Sequence, residues 1–176
     1  MQLLAGIISS TLTQELKYRM LEESFPKIKA CLNLLTEAEV WMRTNESVNS
    51  VGNMILHLCG NVRQYIVSGA GGQKDIRERQ KEFEERGPIS KSELITKMEI
   101  TLNEAASVLD RLSPEQLIEV KAVQCYEMSV LSMIVHATEH FSYHTGQIIY
   151  FTKMLKDIDM KFYGDLNLEA KGGSTD

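Results

Sequence analysis

The sequence predicts an all-α fold, a four-helix bundle with short extra helical turns. The bundle rests on three observations: four long stretches with apolar residues at three- and four-residue spacing, no internal repeat, and only weak strand alternation. The links at 36–49, 70–89 and 112–127 are longer than hairpin turns need, so the order of helices around the bundle stays open.

Size and charge narrow the function. The 176 residues make one domain able to bury a core, and 43% hydrophobic with 24% charged residues is ordinary for a globular protein. A net charge of −5 without a Lys/Arg cluster argues against nucleic acid and against an anionic membrane surface. Cys31, Cys59 and Cys125 are odd in number and contain no C-x-x-C, which fits a cytoplasmic, reducing compartment. Residues 1–10 are apolar, with no basic residue before Lys17, and too short to span a bilayer. They are expected to form a loose or self-packing arm, not a signal peptide.

The bundle domain is expected over 11–157. Its first helix runs from 11 to 35 through Leu12, Leu16, Leu21, Phe25, Ile28, Leu32 and Leu35, with a kink or break at Pro26, which lacks a backbone donor. Thr36 to Trp41 reads as a short helical turn, followed by a polar loop. The second helix starts after Ser50 and ends near Ser68, ahead of Gly69, Gly71 and Gly72. Beside its apolar face of Val51, Met54, Ile55, Leu58, Val62, Tyr65 and Ile66 runs a polar stripe, Asn53, His57, Gly60, Asn61 and Gln64. Such a stripe lines either an internal cavity or a solvated helix edge.

Residues 73–87 are charge-dense and read as a helical turn plus loop, a solvated face unless Phe83 pins it and lets Arg77 and Arg79 overhang a pocket. Ser90 with Glu93 is a capping-box signal for a third helix to about Arg111, through Leu94, Met98, Leu102, Ala105 and Leu109. Ser113-Pro114-Glu115 opens another short turn, residues 118–126 fit an extended segment, and 158–176 form a partly disordered tail.

The last helix, 127–157, carries the chemistry. With Val130, Ala137, His144 and Phe151 at heptad position a, position d holds Met133, His140, Gln147 and Met154, so polar side chains interrupt the buried seam. His140 and His144 are four apart, ~40° apart on one face, and both imidazoles can reach one point. His136 falls on the flank. Burying imidazoles is costly unless each nitrogen finds a partner; a divalent cation is one, and hydrogen bonds within the core are the alternative.

The fourth histidine, His57, lies in the polar stripe of the second helix. If the two helices are neighbours, His57, His140 and His144 can converge as three neutral nitrogen donors with a coordination position open to water or substrate. No histidine starts H-E-x-x-H or follows a Glu by three residues, so a zincin or carboxylate-bridged di-iron site is not expected. The donor set suits Zn²⁺, Ni²⁺, Fe²⁺ or Co²⁺. Asn53, Asn61, Gln147 and His136 are the candidates to contact the ligands or a substrate. Cys59, ~200° around the helix from His57, is a poor co-ligand.

The runs VGNMILHLCGNVRQYIVSG and VHATEHFSYHTGQIIYFTK, with GG-x-x-D-x-R-x-R-x-x-x-F from Gly71 to Phe83, resemble the DinB/YfiT-like superfamily of metalloenzymes over most of residues 11–163. The resemblance implies a four-helix bundle, metal ligation by His57, His140 and His144, and a homodimer. It also implies kinship with thiol-dependent transferases and isomerases, although some members lack the ligands. The expectation is a metal-dependent enzyme, a thiol-dependent transferase or hydrolase-like protein acting on a small molecule with a low-molecular-weight thiol. The alternative is a non-catalytic metal-binding or stress-associated dimeric protein.

Overall fold

In a computed structural model that describes residues 2–171, four helical spans build the bundle. The first comprises α1 (Gln2–Tyr18), a π-helical turn (Arg19–Ser24) and α2 (Phe25–Leu34). The second comprises α4 (Val51–Val62) and a π-helical segment (Arg63–Ala70), the third is α6 (Lys91–Leu109) and the fourth is α8 (Val130–Lys156). Three short helices, α3 (Glu37–Trp41), α5 (Arg79–Glu84) and α7 (Pro114–Ile118), lie in the links, and β1 (Val120–Val123) pairs antiparallel with β2 (Tyr126–Ser129) just before α8. No helix among the described residues is long and apolar enough to cross a membrane.

Side-chain pairings give the topology. Cys31 lies beside Thr152 and Lys156 donates to Glu39, so the first and fourth spans run parallel. His57 meets His140 while Gly69 lies against Met133, so the second span runs against the fourth. Lys91 reaches Leu35 and Asp110 reaches Lys17, so the third runs against the first. The order is up-down-down-up, with α4 packed on both α6 and α8. The core holds Met20, Ile28, Leu32, Ile55, Leu58, Ile66, Leu94, Met98, Leu102 and Phe141, each contributing roughly 1.5–3 kcal/mol on burial.

Several expectations need adjustment. Residues 2–10 are not a loose arm but the start of α1, whose Leu3, Leu4, Ile7 and Ile8 remain exposed. Pro26 does not break the first span: the Phe25 N–H reaches back five residues to the Met20 carbonyl, and the widened π turn absorbs the donor that proline lacks. The extended segment is a hairpin through Ser129, so α8 begins at Val130 instead of 127. Within α8 the heptad seam drifts. Val130, Met133 and Ala137 are buried as expected, but further along Thr145, Ile148 and Thr152 take the core while Gln147 and Met154 are exposed. A straight helix loses ~20° per heptad against a strict seven-residue repeat, and this rotation carries His144 towards the rim. The tail runs as turns, held where Lys27 meets the Tyr163 hydroxyl at 2.9 Å; the expectation for 172–176 lies outside the described residues.

Candidate metal centre

The position of His57 is set at the start of α4. Ser50 Oγ accepts the Asn53 N–H at 3.1 Å and Asn53 Oδ1 accepts the Ser50 N–H at 3.2 Å, a reciprocal cap that fixes the first turn. Asn53 Nδ2 donates to the Glu82 and Glu85 carbonyls, both at 2.9 Å, which ties α5 to the bundle. Asn53 therefore holds the link rather than an imidazole. Phe83 packs its ring 4.8 Å from that of His57, and Arg79 lies 4.8 Å over Phe83 instead of reaching the histidines.

His57, His140 and His144 each bring one ring nitrogen to within 4.8 Å of the others. His57 Nε2 and His140 Nε2 are 2.8 Å apart, and the rings meet edge-on, with centroids 4.5 to 5.3 Å apart. His136 stands outside this group, stacked 5.7 Å from the His140 ring and 4.4 Å from the Tyr65 ring. Asn61 is buried one turn beyond His57, and its Oδ1 has no hydrogen-bond partner among the described residues.

The outer nitrogens are also engaged. His144 Nδ1 lies 2.6 Å from Gln147 Oε1, an acceptor, so the proton sits on Nδ1 and the Nε2 lone pair is free. His57 Nδ1 has two neighbours, Glu82 Oε2 at 3.0 Å and Arg77 Nη2 at 3.1 Å. Arg77 grips Glu82 through Nε and Nη2, both at 2.8 Å, and donates from Nη1 to Gln64 Oε1 at 2.8 Å. Gln64 in turn meets Asp75 and Gln124, and Gln124 accepts from the Tyr65 hydroxyl. Gly60 leaves room for this cluster: a Cβ there would lie 1.9 Å from Glu82 Oε1.

Electrostatics favour neutral imidazoles. Burial, reinforced by the neighbouring His144 and His57, pushes His140 down to about 3. Burial also lowers His144, partly offset by its bond to Gln147. Burial alone would raise Glu82, but hydrogen bonds from Arg77 and His57 hold it below the usual carboxylate range. Burial pushes the Cys59 thiol up to about 12, which leaves it unreactive. Three ring nitrogens converging at one point, with the outer nitrogens anchored at two of the three residues, fit a divalent transition metal.

Sequence reasoning singled out His57, His140, His144 and Gln147, and the structure brings these four together. It missed Glu82. The readable signal was Gly60, a residue without a side chain one turn from His57 on the polar stripe. The Arg77–Glu82 pair also borders a cavity of about 330 Å³ between α4, α6 and the link, which also touches Arg63, Ile76 and Lys97 but none of the histidines.

A protein-family profile described as "Protein of unknown function (DUF1572)" matches residues 11–164. Among solved structures, a conserved protein from Enterococcus faecalis superposes with a TM-score of 0.71 at 16% identity, covering 83% of this chain and 98% of that one. A DinB-like protein, YjoA, from Bacillus subtilis superposes with a TM-score of 0.63 at 13% identity, covering 85% and 97%. At these identities the likeness concerns the fold. No curated protein matches.

Proposed function

The chain belongs to the DUF1572 family, within the DinB/YfiT-like superfamily, and from that premise we propose a metal-dependent enzyme in which His57, His140 and His144 hold one divalent ion. The observation that carries this reading is the convergence of three ring nitrogens within 4.8 Å from two different helices. Zn²⁺ or Ni²⁺ is the expected occupant, with Fe²⁺ or Co²⁺ compatible with the same donors. A bound ion would supply Lewis acidity, the property that brings water or a thiol to its deprotonated form near neutral pH.

The residues around the site shape what can react there. Three neutral donors leave the full charge of the ion uncompensated, so an incoming anion such as a thiolate is favoured. His57 is buried, whereas His144 is half-buried and Gln147 and Tyr143 are exposed, so a small molecule would approach from the α8 rim. Gln147 Nε2 donates to the Tyr143 hydroxyl at 3.3 Å, which orients the amide oxygen towards His144. The reading is therefore a thiol-dependent transferase with a small-molecule electrophile, in a reducing compartment where Cys31, Cys59 and Cys125 stay free. Metal-loaded protein assayed with paired thiols and electrophiles tests it: turnover lost on chelation and restored by metal is expected, and none across a broad panel despite bound metal contradicts it.

A second reading, in which the ion only braces a dimeric bundle, draws support from the exposed Leu3, Leu4, Ile7 and Ile8 of α1. Under it, His140→Ala lowers the melting temperature without abolishing any activity, and sedimentation shows a dimer.

A further inference from the structure

His57 can take two tautomers, and its neighbours pull in opposite directions. A proton on Nδ1, donated to Glu82 Oε2 at 3.0 Å, leaves the Nε2 lone pair facing His140 and His144. If Nδ1 instead accepted from Arg77 Nη2 at 3.1 Å, the proton would sit on Nε2 and point at the meeting place of the three rings. Only the first state can ligate through Nε2.

We propose that Glu82 is the positioning residue that selects the ligating tautomer of His57, and that it does so by taking the N–H donors of Arg77 as well as the proton of Nδ1. A carboxylate has no proton to donate to Nδ1, so its approach to that nitrogen requires the proton to be there. Arg77 Nη2 already donates to the same Oε2 at 2.8 Å, and Nε donates to Oε1 at 2.8 Å, so the guanidinium is turned to the carboxylate by a charge-assisted fork. The arrangement is built for this contact. Asn53 holds the Glu82 carbonyl, Gly60 provides the space for the carboxylate, and Phe83 confines the ring. His144 receives the same service from Gln147, so both histidines are set with Nδ1 protonated, one by a carboxylate from the link and one by an amide of its own helix.

The inference rests on the metal-site reading for its consequence but not for its first test. Long-range ¹H–¹⁵N correlation spectra of the metal-free, full-length protein at neutral pH report which nitrogen of His57 carries the proton. The Nδ1–H form is expected in the parent, and the Nε2–H form in Glu82→Ala, where Arg77 is left as the hydrogen-bond partner of Nδ1 among the described residues. Zn²⁺ titration then reads the consequence: affinity falls by about 10- to 100-fold in Glu82→Ala. It recovers in part in the Glu82→Ala, Arg77→Met double variant, because the competing donor is gone. A merely structural role predicts the double variant to be worse than either single one. An Nε2–H tautomer in the parent, or an unchanged tautomer in Glu82→Ala, overturns the proposal. Absence of Zn²⁺ binding by the parent, with the tautomer exchange intact, overturns the metal reading and leaves the role of Glu82 standing. Should Glu82→Ala fail to fold, Glu82→Leu serves: it too removes the acceptor at Nδ1, so the Nε2–H form is again expected and an unchanged tautomer again overturns the proposal.

Discussion

Replacing Gly60 by alanine places a methyl group where the structure has a carboxylate. In an ordinary helix interior, Gly→Ala stabilises by about 1 kcal/mol. Here the new Cβ would lie 1.9 Å from Glu82 Oε1 and 2.8 Å from Arg77 Nε, so the carboxylate must retreat by about 1.5 Å to reach ordinary contact. It has little freedom to do so. The Glu82 and Arg77 side chains are 11% and 3% exposed, and Asn53 pins the Glu82 and Glu85 carbonyls. Losing one partner of a buried ion pair costs about 3–5 kcal/mol. Displacing the pair while keeping both partners forfeits about half of that, and the gain in helix propensity offsets about 1 kcal/mol more. The net expectation is a loss of about 1 kcal/mol in urea unfolding of the metal-free protein, with Zn²⁺ affinity reduced about tenfold because Glu82 no longer anchors His57. A variant about 1 kcal/mol more stable than the parent, binding Zn²⁺ equally well, would refute the packing argument.

Three further outcomes follow from the same geometry. His140 and His144 are held below their unfolded value of about 6.5, so the unfolded chain binds protons first as pH falls. Stability is then fully present above about pH 6.5 and is lost down towards the folded His140 value of about 3. After solvent screening the loss is about 1–2 kcal/mol, measurable as a falling urea midpoint of metal-free protein between pH 7 and pH 4.5; a midpoint that does not respond over this range contradicts the assignment. Gln147→Leu removes the acceptor at His144 Nδ1 from an exposed position, so metal affinity should drop about tenfold while stability changes by less than about 0.5 kcal/mol, as calorimetric titration and melting can check together. Asn53→Ala removes a helix cap and the tether of α5, for an expected loss of about 1–3 kcal/mol and faster hydrogen exchange in residues 79–85; a loss confined to the first turn of α4 would show that the tether contributes nothing.

Much of this was legible in the sequence because the bundle obeys period rules. The polar stripe of the second helix and the four-residue spacing of His140 and His144 are surface patterns of single helices, readable without knowing how helices pack. What the periodicity could not supply was the path of the link between Gly71 and Ser90. Charged residues such as Arg77 and Glu82 look alike in a sequence whether they face solvent or an imidazole, and only the fold of the link decides. The π-helical turn before Phe25 was hidden for a related reason: one proline announces a disturbed helix but not whether the chain breaks or widens its turn. His144 and Gln147 moved to the rim because a strict heptad overstates how long one stripe stays buried on a straight helix. Asn53 was picked for its place on the stripe, yet its amide is spent on the cap and on the α5 carbonyls.

The most direct measurement is metal content by mass spectrometry of the untagged protein beside a His140→Ala, His144→Ala double variant, each before and after incubation with Zn²⁺ and Ni²⁺. The account predicts about one ion per chain in the parent and none in the variant, with both proteins folded by circular dichroism. No metal in the parent after incubation, or equal metal in both proteins, would contradict a three-histidine centre.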